Sequence, residues 1–235
     1  MSRRGGSMER AAPFKEDPMI FCTDVDLLHW EPSLFRDAVF ASQQLLSGTG
    51  NLSGTAFTLA SGSLVAAHVA ADQVIVLSGS LAGSYPIVSV DSATQLTLSV
   101  LYDGLFPETG AKTPSPAGTA TGLSFAVNTF WPQRRVVSDL LLRAAGVDPD
   151  STVTQPAQIA NSEALRRPCV LGTLQMIYNA LAAAAATPTN YMVRADLYER
   201  LYRRALGQVR VELDLDGDGV GDTVRRLNTM ELTRA

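Results

Sequence analysis

The stretch Pro168-Cys-Val-Leu-Gly-Thr-Leu-Gln-Met-Ile-Tyr-Asn-Ala-Leu-Ala-Ala-Ala-Ala-Ala186 reads as the central helix of a small helical core. Val170, Leu174, Ile177 and Leu181 recur every three or four residues, and Leu171 and Tyr178 widen the apolar face. Ala182 to Ala186 prolong it with the best helix former. A face this wide has to be buried. Two flanking segments offer matching stripes: Val137, Leu140, Leu141 and Ala144 before it, and Tyr191, Ala195, Tyr198, Leu201, Tyr202 and Ala205 after it. The spacing predicts a three-helix core.

The punctuation around these helices agrees. Trp131-Pro132 opens the first, since proline suits a first helical position, and Gly146 followed by Asp148-Pro149 ends it. Residues 150–159 form a polar connection, with Asn161 or Ser162 capping the turn into Pro168. Thr187-Pro188-Thr189 reverses the chain, and residues 191–211 return as the third helix. Near the other end, residues 1–19 lack periodicity and read as an extension. Thr23 then caps a short helix with Asp24 and Asp26 in its first turn. Pro32 stops that helix and starts a second turn carrying Leu34 and Phe35.

Between these helical parts the pattern changes. From about residue 41, threonine, serine, glycine, valine and leucine alternate in short runs at 54–59, 73–77, 85–90, 95–100 and 122–127, separated by Ser-Gly, Asp-Ser and Asp-Gly. This predicts an inserted antiparallel barrel or sandwich of five or six strands. Residues 41–128 carry only five charged side chains, Asp72, Asp91, Asp103, Glu108 and Lys112. A surface with so little charge is expected to face other protein, including identical copies. Residues 103–121, rich in proline, glycine and threonine, read as a protruding loop.

Of the 235 residues, 46% are apolar and 18% charged, which fits a core-forming protein. A net charge of −4 argues against a surface that binds nucleic acid by neutralising phosphates, although a passage that lets DNA slide needs no positive charge. Cys22 and Cys169 lie far apart without CxxC spacing and signal neither a disulfide framework nor zinc. No run approaches the ~20 apolar residues of a membrane span, and no export signal is evident, so synthesis in the cytoplasm is expected.

The sharpest local signal is Asp214-Leu-Asp-Gly-Asp-Gly-Val-Gly-Asp222. Asp214, Asp216 and Asp218 fall at positions 1, 3 and 5 of a calcium loop, Gly219 at its sharp turn and Asp222 at position 9, while Val220 could lend its carbonyl. Arg225 stands where the bidentate glutamate of position 12 belongs, so a Ca²⁺ ion would need a ligand from elsewhere. The other reading is an Asp/Gly turn that reverses the chain. His29 and His68 have no metal or triad context and read as surface or core residues. Residues 48–54, Gly-Thr-Gly-Asn-Leu-Ser-Gly, resemble a phosphate-binding loop superficially, but no helix follows, and a hairpin turn is the better reading. Arg200, Arg203, Arg204 and Arg210 form either a solvated face paired with Asp196 and Glu199 or a surface facing a ring or DNA.

The order of parts is informative as a whole. Thr23-Asp-Val-Asp-Leu-Leu28, Glu31-Pro-Ser-Leu-Phe35, a β-insertion, Leu140-Leu-Leu-Arg-Ala-Ala-Gly-Val-Asp-Pro149, a long helical hairpin and an Asp-rich exit resemble the head-tail connector (adaptor) proteins of tailed bacteriophages. The resemblance implies a structural virion protein of the neck, not an enzyme. Copies would form a ring, usually of twelve, between the portal and a downstream neck or tail protein, with double-stranded DNA passing through. The long β-insertion and the calcium-like loop depart from the smallest members of that family.

The expectation is therefore an α+β chain. Residues 1–22 are an extension, 23–40 and 131–213 a helical bundle, 41–130 the inserted β-barrel or sandwich, and 214–222 the Asp/Gly loop. Residues 223–235 are an extended arm whose Thr223, Val224, Leu227 and Leu232 dock on a neighbour or the portal. Two competing classes are a calcium-dependent adhesion or carbohydrate-binding module and a hydrolase using carboxylates such as Asp24 or Asp26.

Overall fold

The computed structural model describes residues 19–106, 111–148, 158–185, 187 and 189–227. Most of the expected extension, most of the 150–159 connection and Leu232 lie outside the described residues. The chain enters through α1 (Asp24–Trp30) and α2 (Leu34–Asp37). Thr23 caps α1 in a capping box: its hydroxyl accepts the Asp26 N–H at 3.1 Å while the Asp26 carboxylate accepts the Thr23 N–H at 2.8 Å. Val25, Leu27, Leu28, Leu34 and Phe35 are buried, and the Phe35 ring lies 4.9 Å from that of Phe130.

Six strands follow, β1 (Gln44–Gly54), β2 (Ala56–Leu59), β3 (Val74–Ser78), β4 (Gly83–Val90), β5 (Gln95–Leu98) and β6 (Gly118–Asn128). They close into an antiparallel barrel in the order β1-β2-β5-β4-β3-β6. Alternation decides the faces. Leu52, Phe57, Leu59, Ile75, Leu77, Ile87, Leu96, Leu98, Leu123, Phe125 and Val127 are buried together, while Ser47, Thr49, Asn51, Ser53, Thr58 and Ser124 are exposed. Register shifts between Gln44 and Leu46 and between Gly50 and Leu52 let the long β1 bend around the barrel and pair with both β6 and β2.

Residues 48–54 correct the sequence reading. They are not a turn but the body of β1, and the reversal comes at Gly54-Thr55, where Gly54 has φ +65°. The glycines answer to the interior. A Cβ on Gly50 would lie 2.5 Å from Phe57 Cζ and 2.7 Å from the Thr58 carbonyl oxygen. This close approach leaves room for the edge-on Phe57–Phe125 pair, whose centroids are 5.3 Å apart. The 103–121 segment also differs from the protruding loop expected: Leu105 is buried, Phe106 stands edge-on to His29 at 5.2 Å, and residues from Gly118 onward belong to β6.

After β6 come α3 (Trp131–Ala144), α4 (Arg166–Ala184) and α5 (Thr189–Gln208). Helix α4 is central and buries nine residues, the seven from Pro168 through Leu174 and then Ile177 and Tyr178. Helices α3 and α5 pack on it, and both come close at Gly172: a Cβ there would meet Val137 Cγ1 at 2.9 Å and Tyr202 Cε2 at 3.0 Å. Ala195, Tyr198 and Ala205 of α5 are buried as the stripe requires. On α3 the buried apolar face is Val137, Leu141 and Leu142, continued by Ala145 just past its end, whereas Leu140 and Ala144 of the expected stripe are exposed. The return helix ends at Gln208, and Val211 lies on a strand instead.

That strand, β7 (Arg210–Leu213), pairs antiparallel with β8 (Thr223–Arg226), and the Asp/Gly loop joins them. Ile159 bridges to Leu213 on the other side of β7. The start of the expected arm is thus extended, but its partner is the chain's own β7. Leu227 packs on the helical core.

The Gly50 contacts give a direct test. Replacing Gly50 with Ala is expected to destabilise the barrel by about 1–3 kcal/mol through overpacking. Gly48→Ala, where the nearest atom is a Phe125 ring carbon at 3.3 Å, should cost much less. Urea unfolding midpoints of the two variants, read beside the unaltered chain, check this.

Candidate functional site

Three features of the fold bring functional groups together: a buried polar junction between barrel and helices, the Asp/Gly hairpin loop, and uncovered apolar faces on α3 and α5.

The junction is built on Asp24, which is fully buried. Its Oδ1 accepts the Phe130 N–H at 3.0 Å and lies 3.1 Å from Arg134 Nε. Its Oδ2 accepts the Thr129 hydroxyl at 2.7 Å and Arg134 Nη2 at 3.3 Å. Arg134 also donates to the Cys22 carbonyl at 2.8 Å. Burial pushes the Asp24 carboxyl above its ordinary value, against the pull of Arg134, Thr129 and the Phe130 N–H. Asp26 is bound by Arg166, whose Nε donates at 3.0 Å. Both carboxylates named in the hydrolase reading are therefore engaged in tying α1 to the end of β6, to α3 and to the start of α4.

A second polar knot joins the end of α1 to the helical hairpin. Tyr198 donates to Glu31 at 2.8 Å, and Arg194 reaches Glu31 at 3.0 Å and the Tyr178 hydroxyl at 2.8 Å. The rings of Tyr178 and Tyr198 stack with centroids 5.6 Å apart. Burial pushes the Tyr178 phenol up to about 12 and raises that of Tyr198 as well, so both stay protonated as donors across the physiological range.

In the hairpin loop, Asp214, Asp216 and Asp218 bring carboxylate oxygens within 4.8 Å of one another, the one such cluster among the described residues. The backbone organises them. Asp214 Oδ1 accepts the Gly217 N–H at 2.6 Å and Oδ2 the Gly219 N–H at 2.7 Å, with Gly217 and Gly219 at φ +82° and +86°. These bonds hold the Asp214 carboxyl below its ordinary value. Each oxygen retains a further lone pair, and hard oxygen donors at alternate positions suit Ca²⁺. Asp222 is not part of the trio; its Oδ2 accepts the Leu215 N–H at 2.8 Å and closes the base of the loop. No carboxylate takes the twelfth position, where Arg225 instead donates to the Ala145 carbonyl at 3.1 Å.

The histidines lie apart from these sites. His29 packs on Phe106, and His68, with φ +55°, lines a cavity between barrel and α3 with Ser42, Gln43, Gln73 and Trp131. On α5, Arg203 pairs with Glu199, and Arg200 Nε donates to the Asp196 carbonyl at 3.2 Å, as a solvated face would.

The uncovered apolar faces escaped the sequence reading. Val136 and Leu140 on α3 are 47% and 52% exposed, and Met192, Val193 and Leu197 on α5 are 54%, 62% and 45% exposed. Val136 and Leu140, and Val193 and Leu197, are each four residues apart, so each helix carries a second apolar row apart from its buried stripe, with Met192 beside Val193. No protein-family model, curated protein or solved structure matches the chain.

Removing one partner of a buried ion pair leaves the other uncompensated. Asp24→Ala is accordingly expected to cost about 3–5 kcal/mol in urea unfolding, and the double variant Asp24→Ala/Arg134→Met should recover part of that loss.

Proposed function

We propose that the chain is a head-tail connector of a tailed bacteriophage, a structural component of the virion neck made in the host cytoplasm. Copies stand side by side in a ring, twelve by the family's usual count, between the portal and a downstream neck or tail protein. Double-stranded DNA passes through without sequence-specific contact. The observation that carries this reading is the pair of uncovered apolar rows. Both α3 and α5 bury one face on α4 and display another, and two different patches on one molecule meet head-to-tail in a heterologous contact, the kind that closes into a ring.

The barrel supports the same reading. Residues 41–128 carry only five charged side chains; Asp72 pairs with Lys112, and the Asp91 carboxylate accepts from the hydroxyls of Ser89 and Thr97 at 2.7 and 2.8 Å, so the surface is sparse in charge. The outer face of β8, where Thr223 and Val224 are exposed, offers a docking surface for the portal. Among the described residues no helix is long and apolar enough to cross a membrane.

Within this role Asp214, Asp216 and Asp218 hold Ca²⁺ as a structural ion that stiffens the hairpin. The aspartate trio is also what favours the second reading, a calcium-dependent adhesion or carbohydrate-binding module. Assembly separates the two.

Light scattering of the purified chain with its portal is expected to show a large assembly for the unaltered protein. Leu140→Glu and Leu197→Glu should abolish that assembly while leaving the melting temperature within a few degrees, because both side chains face outward. Calcium is expected to raise the melting temperature of the unaltered chain and not of Asp216→Asn. An unchanged melting temperature in both would exclude the ion.

A further inference from the structure

Cys22 and Cys169 are 147 positions apart in sequence, yet their sulfurs lie side by side, 2.7 Å apart, and both residues are buried. Cys22 ends the segment entering α1, and Cys169 sits in the first turns of α4. Their surroundings are built. Ser138 of α3 places its hydroxyl 3.4 Å from the Cys169 sulfur and accepts the Phe21 N–H at 3.2 Å, while Arg134 is fixed to the Cys22 carbonyl.

The geometry points to a reversible redox site: under a small peroxide these two thiols form an intramolecular disulfide that staples the entering segment to α4. The environment distinguishes the two sulfurs. Burial pushes the Cys169 thiol up, but bonds from Cys22 and Ser138 and the nearby charge of Arg134 outweigh it and hold the group below its ordinary value. Burial and the adjoining Cys169 sulfur hold Cys22 well above its own, against the pull of Arg134. Both thiols are buried, so peroxide reaches them by local opening of the entering segment, and Cys169, with the Ser138 hydroxyl 3.4 Å away to hold its thiolate, attacks first. Its thiolate attacks one peroxide oxygen, the O–O bond breaks, and the departing hydroxide takes the Cys22 proton to leave as water. Cys22 then attacks the Cys169 sulfenic acid, the S–O bond breaks, and the second oxygen departs as hydroxide, becoming water with a proton from solvent. In balance, two thiols and one hydrogen peroxide give one disulfide and two waters.

Such a crosslink closes a loop of more than a hundred residues, which restricts the unfolded chain strongly. It is independent of the connector reading, since it needs only the folded monomer.

The test treats the full-length protein overnight with hydrogen peroxide or with dithiothreitol, then alkylates it after unfolding and digests it. Oxidation is expected to remove both alkylatable thiols, to yield one peptide joining Cys22 to Cys169, and to raise the melting temperature by about 10 °C. Dithiothreitol should reverse all three. Cys169→Ser should leave Cys22 alkylatable after the same treatment, and a failure of that variant to fold does not touch the result on the unaltered chain. Two free thiols after peroxide, a crosslink between molecules, or sulfinic acid in place of the linked peptide would each overturn the proposal.

Discussion

The structure depends on a single buried carboxylate. Asp24 has no access to water, and an ionised group so placed is tolerable only when every oxygen is answered. The answers come from Thr129, Phe130 and Arg134, the residues by which the chain leaves the barrel and enters α3. Satisfying one charge therefore fixes the angle at which the helical bundle resumes after an excursion of more than eighty residues. Arg134 passes the constraint on to Cys22 and so to the start of α1, and Asp26 extends it to α4 through Arg166.

The barrel can be inserted at that point because of its own closure. β1 and β6 are antiparallel neighbours, and their outer ends meet where Gln44 pairs with Asn128. The insertion thus begins and ends at one place, and the helical bundle need not open to accommodate it. Closure also removes the free sheet edges that would otherwise recruit other strands. What remains outside is largely a surface of hydroxyls and small residues with few charges.

Features set by local physics were legible in the sequence. The α4 stripe, the Thr23–Asp26 capping box and the alternating strands from Val74 to Leu98 are each written in a few adjacent residues. β1 was not, because its glycines serve the Phe57 and Phe125 rings packed across the barrel, and glycine in a sequence reads as a turn. Leu140 was misplaced because α3 is apolar on two sides, and spacing alone does not say which side meets α4. The β7–β8 pair was hidden by its brevity, four residues a strand, and the Asp/Gly loop was recognisable while its strands were not. Contacts such as Asp24 with Arg134 and Cys22 with Cys169 span more than a hundred positions and leave no local trace; only the topology brings them together.

The two apolar helix rows are the same kind of omission, and they are what lead from fold to function. In the proposed connector, apolar side chains on both flanks of the bundle would be covered by neighbouring copies, and a ring would cover every copy in the same way. The most direct measurement is electron microscopy of the purified protein incubated with the portal. A connector should appear as a closed ring stacked coaxially on the portal, with α3 of one copy against α5 of the next at each subunit boundary. Portal rings left bare beside monomeric protein would contradict it.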